Sequence, residues 1–432
     1  MFYYSTNHNS PIVDFKEATI NGQAPDKGLY FPENIPVLSE HFIKNIESIS
    51  NEAIAYEVIK PYVGDRIHAS MLKKIVEETV NFPIPLVPVT NTIFSLELFH
   101  GPTLAFKDVG ARFMSRCLGF FVKNQAKKIT VLVATSGDTG GAVANGFYDI
   151  PNVEVVILYP SGKVSTVQEK QLTSLGKNIH ALEVNGSFDD CQQMVKDIFA
   201  NAADFEKLFL TSANSINVAR WLPQQFYYFF AYKQWADKNN PPVVAVPSGN
   251  FGNICAGIMA KASGLPIKHF IAACNANDTI PQFFDTNIYK AKQAVSTISN
   301  AMDVGNPSNF VRILEIFNQE ITALKNLVSA ESITDEQTKA TLKKVYDESA
   351  YLLDPHGAVG YHALEKYLAA HPAQKGIVVE TAHPVKFFDV VEPVINAPVQ
   401  IPEAIKEQLK LAKKSVLMEN SSEALRDFLL KL

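Results

Sequence analysis

Lys107 stands in Phe99-His100-Gly101-Pro102-Thr103-Leu104-Ala105-Phe106-Lys107-Asp108, among apolar residues after a Gly-Pro turn. Burial lowers the proton affinity of a lysine amine and makes it a usable nucleophile for Schiff-base chemistry. It is also one of 33 lysines, most of which belong on a solvated face. Two glycine-rich loops offer a second kind of chemistry. Pro247-Ser248-Gly249-Asn250-Phe251-Gly252-Asn253 follows the apolar run Val243–Val246 and precedes a helix-compatible stretch. Glycines at such a junction let backbone N–H groups converge on an anion at the positive end of the helix. The loop is either a phosphate cradle or a simple turn rich in turn formers. It lacks the G-x-G-x-x-G spacing of a dinucleotide site, and no G-x-x-x-x-G-K-[ST] occurs anywhere in the chain. Thr135-Ser136-Gly137-Asp138-Thr139-Gly140-Gly141, after Ile129–Ala134, repeats the geometry. Its amides suit a substrate carboxylate; alternatively, Asp138 or Thr139 caps the next helix.

The elements that must position these residues read as α/β. Short apolar runs lie at Ile129–Ala134, Val153–Leu158, Val243–Val246, His269–Ala273 and Ile377–Val379, with weaker ones at Ile179–Val184 and Leu208–Thr211. Helical patterns separate them at about 187–204, 216–236, 252–263 and 308–328. Continuous apolar strands alternating with helices imply a mostly parallel sheet covered on both faces, with room for two such sheets. In open α/β sheets, ligands bind beyond the carboxyl ends of the strands, which is where both loops fall. One buried lysine and two anion loops on a doubly wound body fit pyridoxal phosphate. Lys107 takes the aldehyde, Gly249–Asn253 the cofactor phosphate and Thr135–Thr139 a substrate carboxylate.

Composition bounds the alternatives. The chain has 432 residues, enough for two or three domains or one two-lobed body. Apolar residues make up 47% and charged residues 19%, which excludes disorder. A net charge of −5 shows no footprint for nucleic acid. The longest apolar stretches, such as Val155–Tyr159, are strand-length and far short of the roughly 20 residues of a membrane span. Cys117, Cys191, Cys255 and Cys274 have no metal or redox spacing and read as idle thiols in a reducing compartment. With no basic region at the N-terminus, the expectation is a cytoplasmic protein without a signal peptide. Only six residues are arginines, so each is a position where a planar bidentate clamp is available. Pro83, Pro85 and Pro88 read as an extended connector after an N-terminal region, and Lys27-Gly28 as a turn within that region.

The stretch His100–Asp108 resembles the lysine motif of the threonine synthase family in its longer bacterial and fungal form. Ser136-Gly137-Asp138-Thr139-Gly140 and Gly249-Asn250-Phe251-Gly252-Asn253 resemble its other two signatures. The similarity starts at Ala24-Pro25-Asp26-Lys27-Gly28-Leu29-Tyr30, includes Asn300-Ala301-Met302-Asp303-Val304 and reaches Glu380-Thr381-Ala382-His383-Pro384. It implies a two-lobed fold-type II pyridoxal-phosphate enzyme, similar to the β subunit of tryptophan synthase, with mostly parallel sheets and an N-terminal extension. The domains expected are 1–90, the N-terminal threonine synthase domain; 91–215, a lobe with the catalytic lysine and carboxylate loop; and 216–432, a lobe with the cofactor-phosphate loop.

The resemblance also implies the chemistry. Lys107 is the catalytic residue and carries the cofactor. Gly249, Asn250, Phe251, Gly252 and Asn253 hold the cofactor phosphate, and Thr381 meets the pyridine nitrogen. Thr135, Ser136, Gly137 and Thr139 bind the substrate. Asn214-Ser215-Ile216-Asn217-Val218-Ala219-Arg220 resembles the substrate-phosphate segment, with Asn214, Ser215 and Arg220 as the clamp. A guanidinium fork matches a phosphate in shape and charge, whereas a surface ion pair is the plainer role for Arg220. Arg112, five residues after Lys107 on a helix, faces away from it. Asp138 is a departure, since shorter members carry an asparagine that meets the cofactor's ring oxygen. A carboxylate there repels a phenolate unless one of the two holds a proton. The reaction implied takes O-phospho-L-homoserine and water to L-threonine and phosphate, by γ-elimination and β-hydration. The competing readings are a phospholyase or a threonine/serine dehydratase giving a 2-oxo acid, and a non-catalytic cofactor-binding protein. The partners expected are a small molecule and no nucleic acid or membrane, in a monomer or homodimer without metal.

Overall fold

The computed structural model describes residues 1–123, 128–201 and 208–432. Runs of β-branched and apolar residues form two parallel sheets, as hydrophobic strands covered on both faces must. The five-stranded sheet runs Ser415–Met418, Ile179–Val184, Val153–Pro160, Ile129–Ala134, Phe209–Ser212, all parallel. Every residue of Ile129–Ala134 is buried, which explains the uninterrupted apolar run. The six-stranded sheet runs Val328–Ser332, His269–Cys274, Val243–Pro247, Gly376–Glu380, Ile93–Glu97, Leu86–Pro88. Its last pair is antiparallel and the rest are parallel. Both sheets therefore draw strands from the 91–215 and 216–432 stretches or from beyond their ends. Among the described residues, no helix is long and apolar enough to cross a membrane.

The proline-rich connector contributes Leu86–Pro88 as an edge strand, the only place in a sheet where a missing N–H is harmless. The N-terminal region forms its own three-stranded antiparallel sheet of Val13–Asp14, Phe2–Ser5 and Tyr30–Pro32. Lys27 takes a left-handed φ of 66° in the expected turn. This region packs on the main body through aromatic contacts, Phe15 with Phe113 and Phe31 with Trp221.

Three helical expectations and one strand need adjustment. The pattern at 308–328 is two helices, Phe310–Ile316 and Ile321–Leu327, with Val328 already opening a strand. Asn318 and Gln319 both take positive φ between them, a turn that helical periodicity does not register. The pattern at 216–236 is Val218–Trp221, a 3-10 turn at Leu222–Gln224, then Gln225–Gln234, because Pro223 interrupts the ladder. The helix expected at 187–204 spans Phe188–Ala200, and its positions 202–204 lie outside the described residues. The strand Val153–Leu158 continues to Pro160.

Candidate active site

Lys107 is the first residue of the helix Lys107–Val122, and the chain reaches it through a tightly braced loop. Thr103 donates from its backbone N–H and its hydroxyl to the Asp108 carboxylate, at 2.9 and 2.5 Å. Phe106 donates its N–H to the Thr381 carbonyl at 2.9 Å, and His383 donates to the Leu104 carbonyl at 3.0 Å. The Tyr227 hydroxyl caps the Phe106 carbonyl. Lys107 is thereby fixed against the end of the strand Gly376–Glu380, and its side chain keeps 16% of its surface exposed to the cleft. Burial pushes its ammonium below the ordinary lysine value. Asp138 opposes that shift, and the charges of Lys386 and Arg220 add to it.

The carboxyl ends of Ile129–Ala134, Val243–Pro247 and Gly376–Glu380 converge on one cleft. Its wall brings together Lys107, Thr135, Ser136, Asp138, Thr139, Asn214, Ser215, Arg220, Thr381 and all of Gly249–Asn253. Gly137 lies behind the wall and shapes it. Its φ is 137°, and a Cβ there would meet the Gln168 side chain at 2.4 Å. A wider groove in the N-terminal region, lined by Val37, Phe42 and Glu57, contains none of these groups.

Two helices point their first turns into the cleft. Gly252–Ala262 has Phe251 at its N-cap, with left-handed φ of 61° and no side-chain cap. Asp138–Phe147 has Gly137 at its N-cap, again with no side-chain cap. Neither Asp138 nor Thr139 therefore caps that helix, since both lie inside it. Apart from that of Gly140, the first-turn N–H groups at the two helix heads have no side-chain partner, which suits both heads to anions. Thr135 organises the second one, its hydroxyl accepting from the N–H groups of Gly137 and Gly140 at 2.9 and 2.8 Å.

Polar atoms left without partners mark where ligands fit. Asn253 Nδ2 is buried and unbonded, while its Oδ1 and carbonyl each accept from the Tyr228 hydroxyl at 2.9 Å. Gly249 leaves no room for a side chain, because a Cβ would stand 2.8 Å from Met302 Cα. The Gly249–Asn253 loop is thus closed on one side by the 300–303 turn and open toward the helix head. Arg220 is 3% exposed, yet its Nε and Nη1 have no partner. Burial pulls its guanidinium down to about 10, opposed by Tyr227 and Asp108. A buried guanidinium without an anion costs free energy that a phosphate would offset. Thr381 Oγ1, at the cleft wall, has no hydrogen-bond partner among the described residues, and Asn300 Oδ1 and Gln224 Oε1 of the same wall are buried without one.

Several residues escaped the sequence reading. Lys386 bonds Asp138 Oδ1 at 2.7 Å with no exposed surface, and Gln168 Nε2 donates to the same oxygen at 2.9 Å. Burial works against the Asp138 charge, but Lys386 and Lys107 outweigh it and hold the carboxyl well below its usual range. Lys386 sits between Val385 and Phe387-Phe388, the same lysine-among-apolar signal that singled out Lys107. Arg312, in Phe310-Val311-Arg312-Ile313-Leu314, is fully buried and donates to Tyr30 O, Ser215 O, Ile216 O and Asn309 Oδ1 at 2.6–3.2 Å. Asn309 in turn donates to the Ser215 hydroxyl and the Asn250 carbonyl, both at 3.1 Å. The Asn306-Pro307-Ser308-Asn309 turn thus ties the cofactor loop to the 214–217 loop. Asp303 holds its own loop by accepting from Asn275, Asn277 and Thr297. Arg112 lies away from the cleft, donating to Glu78 O and Asn81 Oδ1 at 2.9 Å each.

A parallel α/β body with a buried lysine at one helix head and two uncapped anion loops defines a pyridoxal-phosphate enzyme of fold type II. The family model described as pyridoxal-phosphate dependent enzyme matches residues 80–381. Models for the threonine synthase N terminus and C-terminal region match 2–80 and 357–429. Threonine synthase from Escherichia coli is 41% identical over 431 residues, covering 100% of this chain and 99% of that protein. The crystal structure of the Escherichia coli enzyme superposes with a TM-score of 0.93 at 40% identity, covering 100% of both chains. A pyridoxal-phosphate-bound threonine synthase from Brucella melitensis gives 0.93 at 34% identity, covering 99% and 98%. The chain belongs to the threonine synthase family, and it is a pyridoxal-phosphate-dependent lyase.

Proposed function

We propose that this enzyme converts O-phospho-L-homoserine and water into L-threonine and phosphate. The observation that carries the reading is Arg220, a buried guanidinium without an anion that shares a cleft with Lys107. A dehydratase acting on an unphosphorylated amino acid has no use for that group.

Each residue then has a task. The helix head at Gly249–Asn253 would hold the cofactor phosphate, with Asn253 Nδ2 as a side-chain donor, and the Thr381 hydroxyl would serve the ring nitrogen. Pyridoxal phosphate, when bound, supplies the electron sink that lets protons leave neighbouring substrate carbons. The Ser136–Thr139 turn binds the substrate carboxylate through first-turn amides, shaped by the Thr135 hydroxyl. Asn214, Ser215 and Arg220 hold the substrate phosphate, with Thr139 beside them. Lys107 Nζ removes the Cα proton of the substrate, and burial, by loosening its hold on its own proton, leaves it readier to act as a base. Once it has passed that proton on, the same nitrogen removes a Cβ proton as phosphate leaves Cγ. The two protons return to Cγ and Cα, the hydroxyl of a water adds at Cβ, and the remaining proton of that water goes to the departing phosphate. The four cysteines are buried free thiols, which supports a reducing, cytoplasmic setting.

The test is to incubate the protein and cofactor with O-phospho-L-homoserine and identify the product. L-threonine and one phosphate per turnover are expected. Accumulation of 2-oxobutyrate without threonine overturns the reading in favour of a phospholyase.

A further inference from the structure

Asp138 turns one oxygen to each of two lysines, Oδ2 to Lys107 at 3.7 Å and Oδ1 to Lys386 at 2.7 Å. Lys386 is wholly buried, does not reach the cleft wall, and also donates to the Thr103 carbonyl at 2.8 Å. It cannot touch substrate. A second buried cation beside the catalytic lysine is an expensive way to brace a loop, since ion pairs of this kind rarely repay their desolvation.

We propose that Lys386 is a positioning residue that fixes Asp138 beside Lys107 and, as the cation paired with that carboxylate, offsets its hold on the Lys107 proton. The inference rests on the reading that Lys107 carries the cofactor. It resolves what a carboxylate does where a neutral amide would be the simpler neighbour for the ring oxygen. With Lys386 bonded to one oxygen, Asp138 stays anionic without burdening the ring, and its other oxygen remains on the Lys107 side. Asp138 and Lys386 bear on Lys107 with opposite effect, Asp138 retaining its proton and Lys386 expelling it.

The charged groups around the triad are few. Lys107 faces Asp138, Lys386 and Arg220. Asp138 faces Lys386 and Lys107, with Gln168 as a neutral donor. Lys386 bears on Asp108 and His383 as well. Burial raises the Asp108 carboxyl against the pull of its Thr103 hydrogen bonds. Burial and His100 hold His383 at about 4, so it is neutral near pH 7. Lys386 is thus the cation directly paired with the carboxylate that neighbours Lys107.

The experiment titrates the visible absorbance of the cofactor-loaded protein against pH in Lys386→Met, Lys386→Gln and Lys386→Arg, with borohydride fixing the cofactor for peptide mapping. Gln keeps a donor for Thr103, which guards against a folding failure. Both neutral variants should move the titration midpoint up by about one pH unit or more, because a cation near the Lys107 nitrogen is gone. Lys386→Arg should hold the wild-type midpoint, and Asp138→Asn should move it down. In the neutral variants kcat should fall while KM changes less than about threefold. A midpoint that stays put in both neutral variants, with the cofactor mapped to Lys107, overturns the role of Lys386 and leaves only bracing. A midpoint unmoved in Asp138→Asn overturns the coupling itself. Mapping of the cofactor to another lysine in the wild type overturns the underlying reading of Lys107.

Discussion

Replacing Arg220 by methionine should raise the stability of the ligand-free protein while disabling it toward phosphorylated substrate. The side chain is 3% exposed, and two of its nitrogens bond nothing. Burial pulls its guanidinium from the ordinary arginine value down to about 10, which corresponds to about 3 kcal/mol of unrelieved desolvation. Methionine has similar length, so part of that cost is recovered against some lost packing. A net gain of about 1–2 kcal/mol is expected, seen as a rise of about 2 °C in the apparent Tm without phosphate. Function moves the other way. A guanidinium fork on a phosphate in a dry cleft contributes about 3–4 kcal/mol through charge-assisted bonds. Its removal should cut kcat/KM for O-phospho-L-homoserine by about 100–1000-fold. The assay pairs differential scanning fluorimetry with steady-state kinetics, using inorganic phosphate as competing ligand and an unphosphorylated amino acid as control. Phosphate should raise the Tm of the wild type and not of the variant. If Arg220→Met melts several degrees lower and both substrates lose equally, Arg220 is a structural brace and the phosphate assignment fails.

Arg312→Met should behave oppositely, because it strands the acceptors at Tyr30, Ser215, Ile216 and Asn309; a loss of about 3–5 kcal/mol in chemical denaturation is expected. Lys107→Ala should abolish turnover and the visible absorbance of the loaded protein, and retained turnover would remove Lys107 from the mechanism. Gly249→Ala drives a Cβ to within 2.8 Å of Met302 Cα, so cofactor affinity measured by fluorescence titration should fall about tenfold or more. In the cofactor-free protein, Lys107 binds its proton less tightly than the unfolded chain does. Stability should therefore rise with pH between its folded value and the ordinary lysine value, and this slope should be shallower in Lys107→Met.

The parts of the site that could be read from sequence are those whose chemistry is local. A lysine after Gly-Pro, a glycine loop at a strand end and a hydroxyl after Val379 all carry their meaning within a few residues. The parts that escaped depend on chain returning from far away. Nothing near Asp138 announces Lys386, since 248 positions separate them, and their pairing depends on the Leu104–His383 and Phe106–Thr381 backbone bonds. Arg312 was one of six arginines, but its acceptors are backbone carbonyls, which carry no sequence signal. The fold was legible in the same proportion. Apolar parallel strands declared themselves, whereas Ser415–Met418 is four residues long, leaves Val416 and Leu417 exposed, and joins Ile179–Val184 at the sheet edge. The break at Asn318-Gln319 was hidden because both flanking helices keep the same apolar period.

The bond from Arg312 to the Tyr30 carbonyl spans 282 positions. A ribosome adding about 5–20 residues per second needs roughly 14–56 s to make that stretch. Through that interval the first 80 residues are outside the ribosome with the Arg312 anchor and the Trp221 contact of Phe31 not yet complete. The five-stranded sheet waits longer still, its edge strand at Ser415–Met418 lying about 100 residues beyond Arg312. The N-terminal segment is therefore made early, can meet Phe113 soon after, and gains its Trp221 and Arg312 anchors only much later.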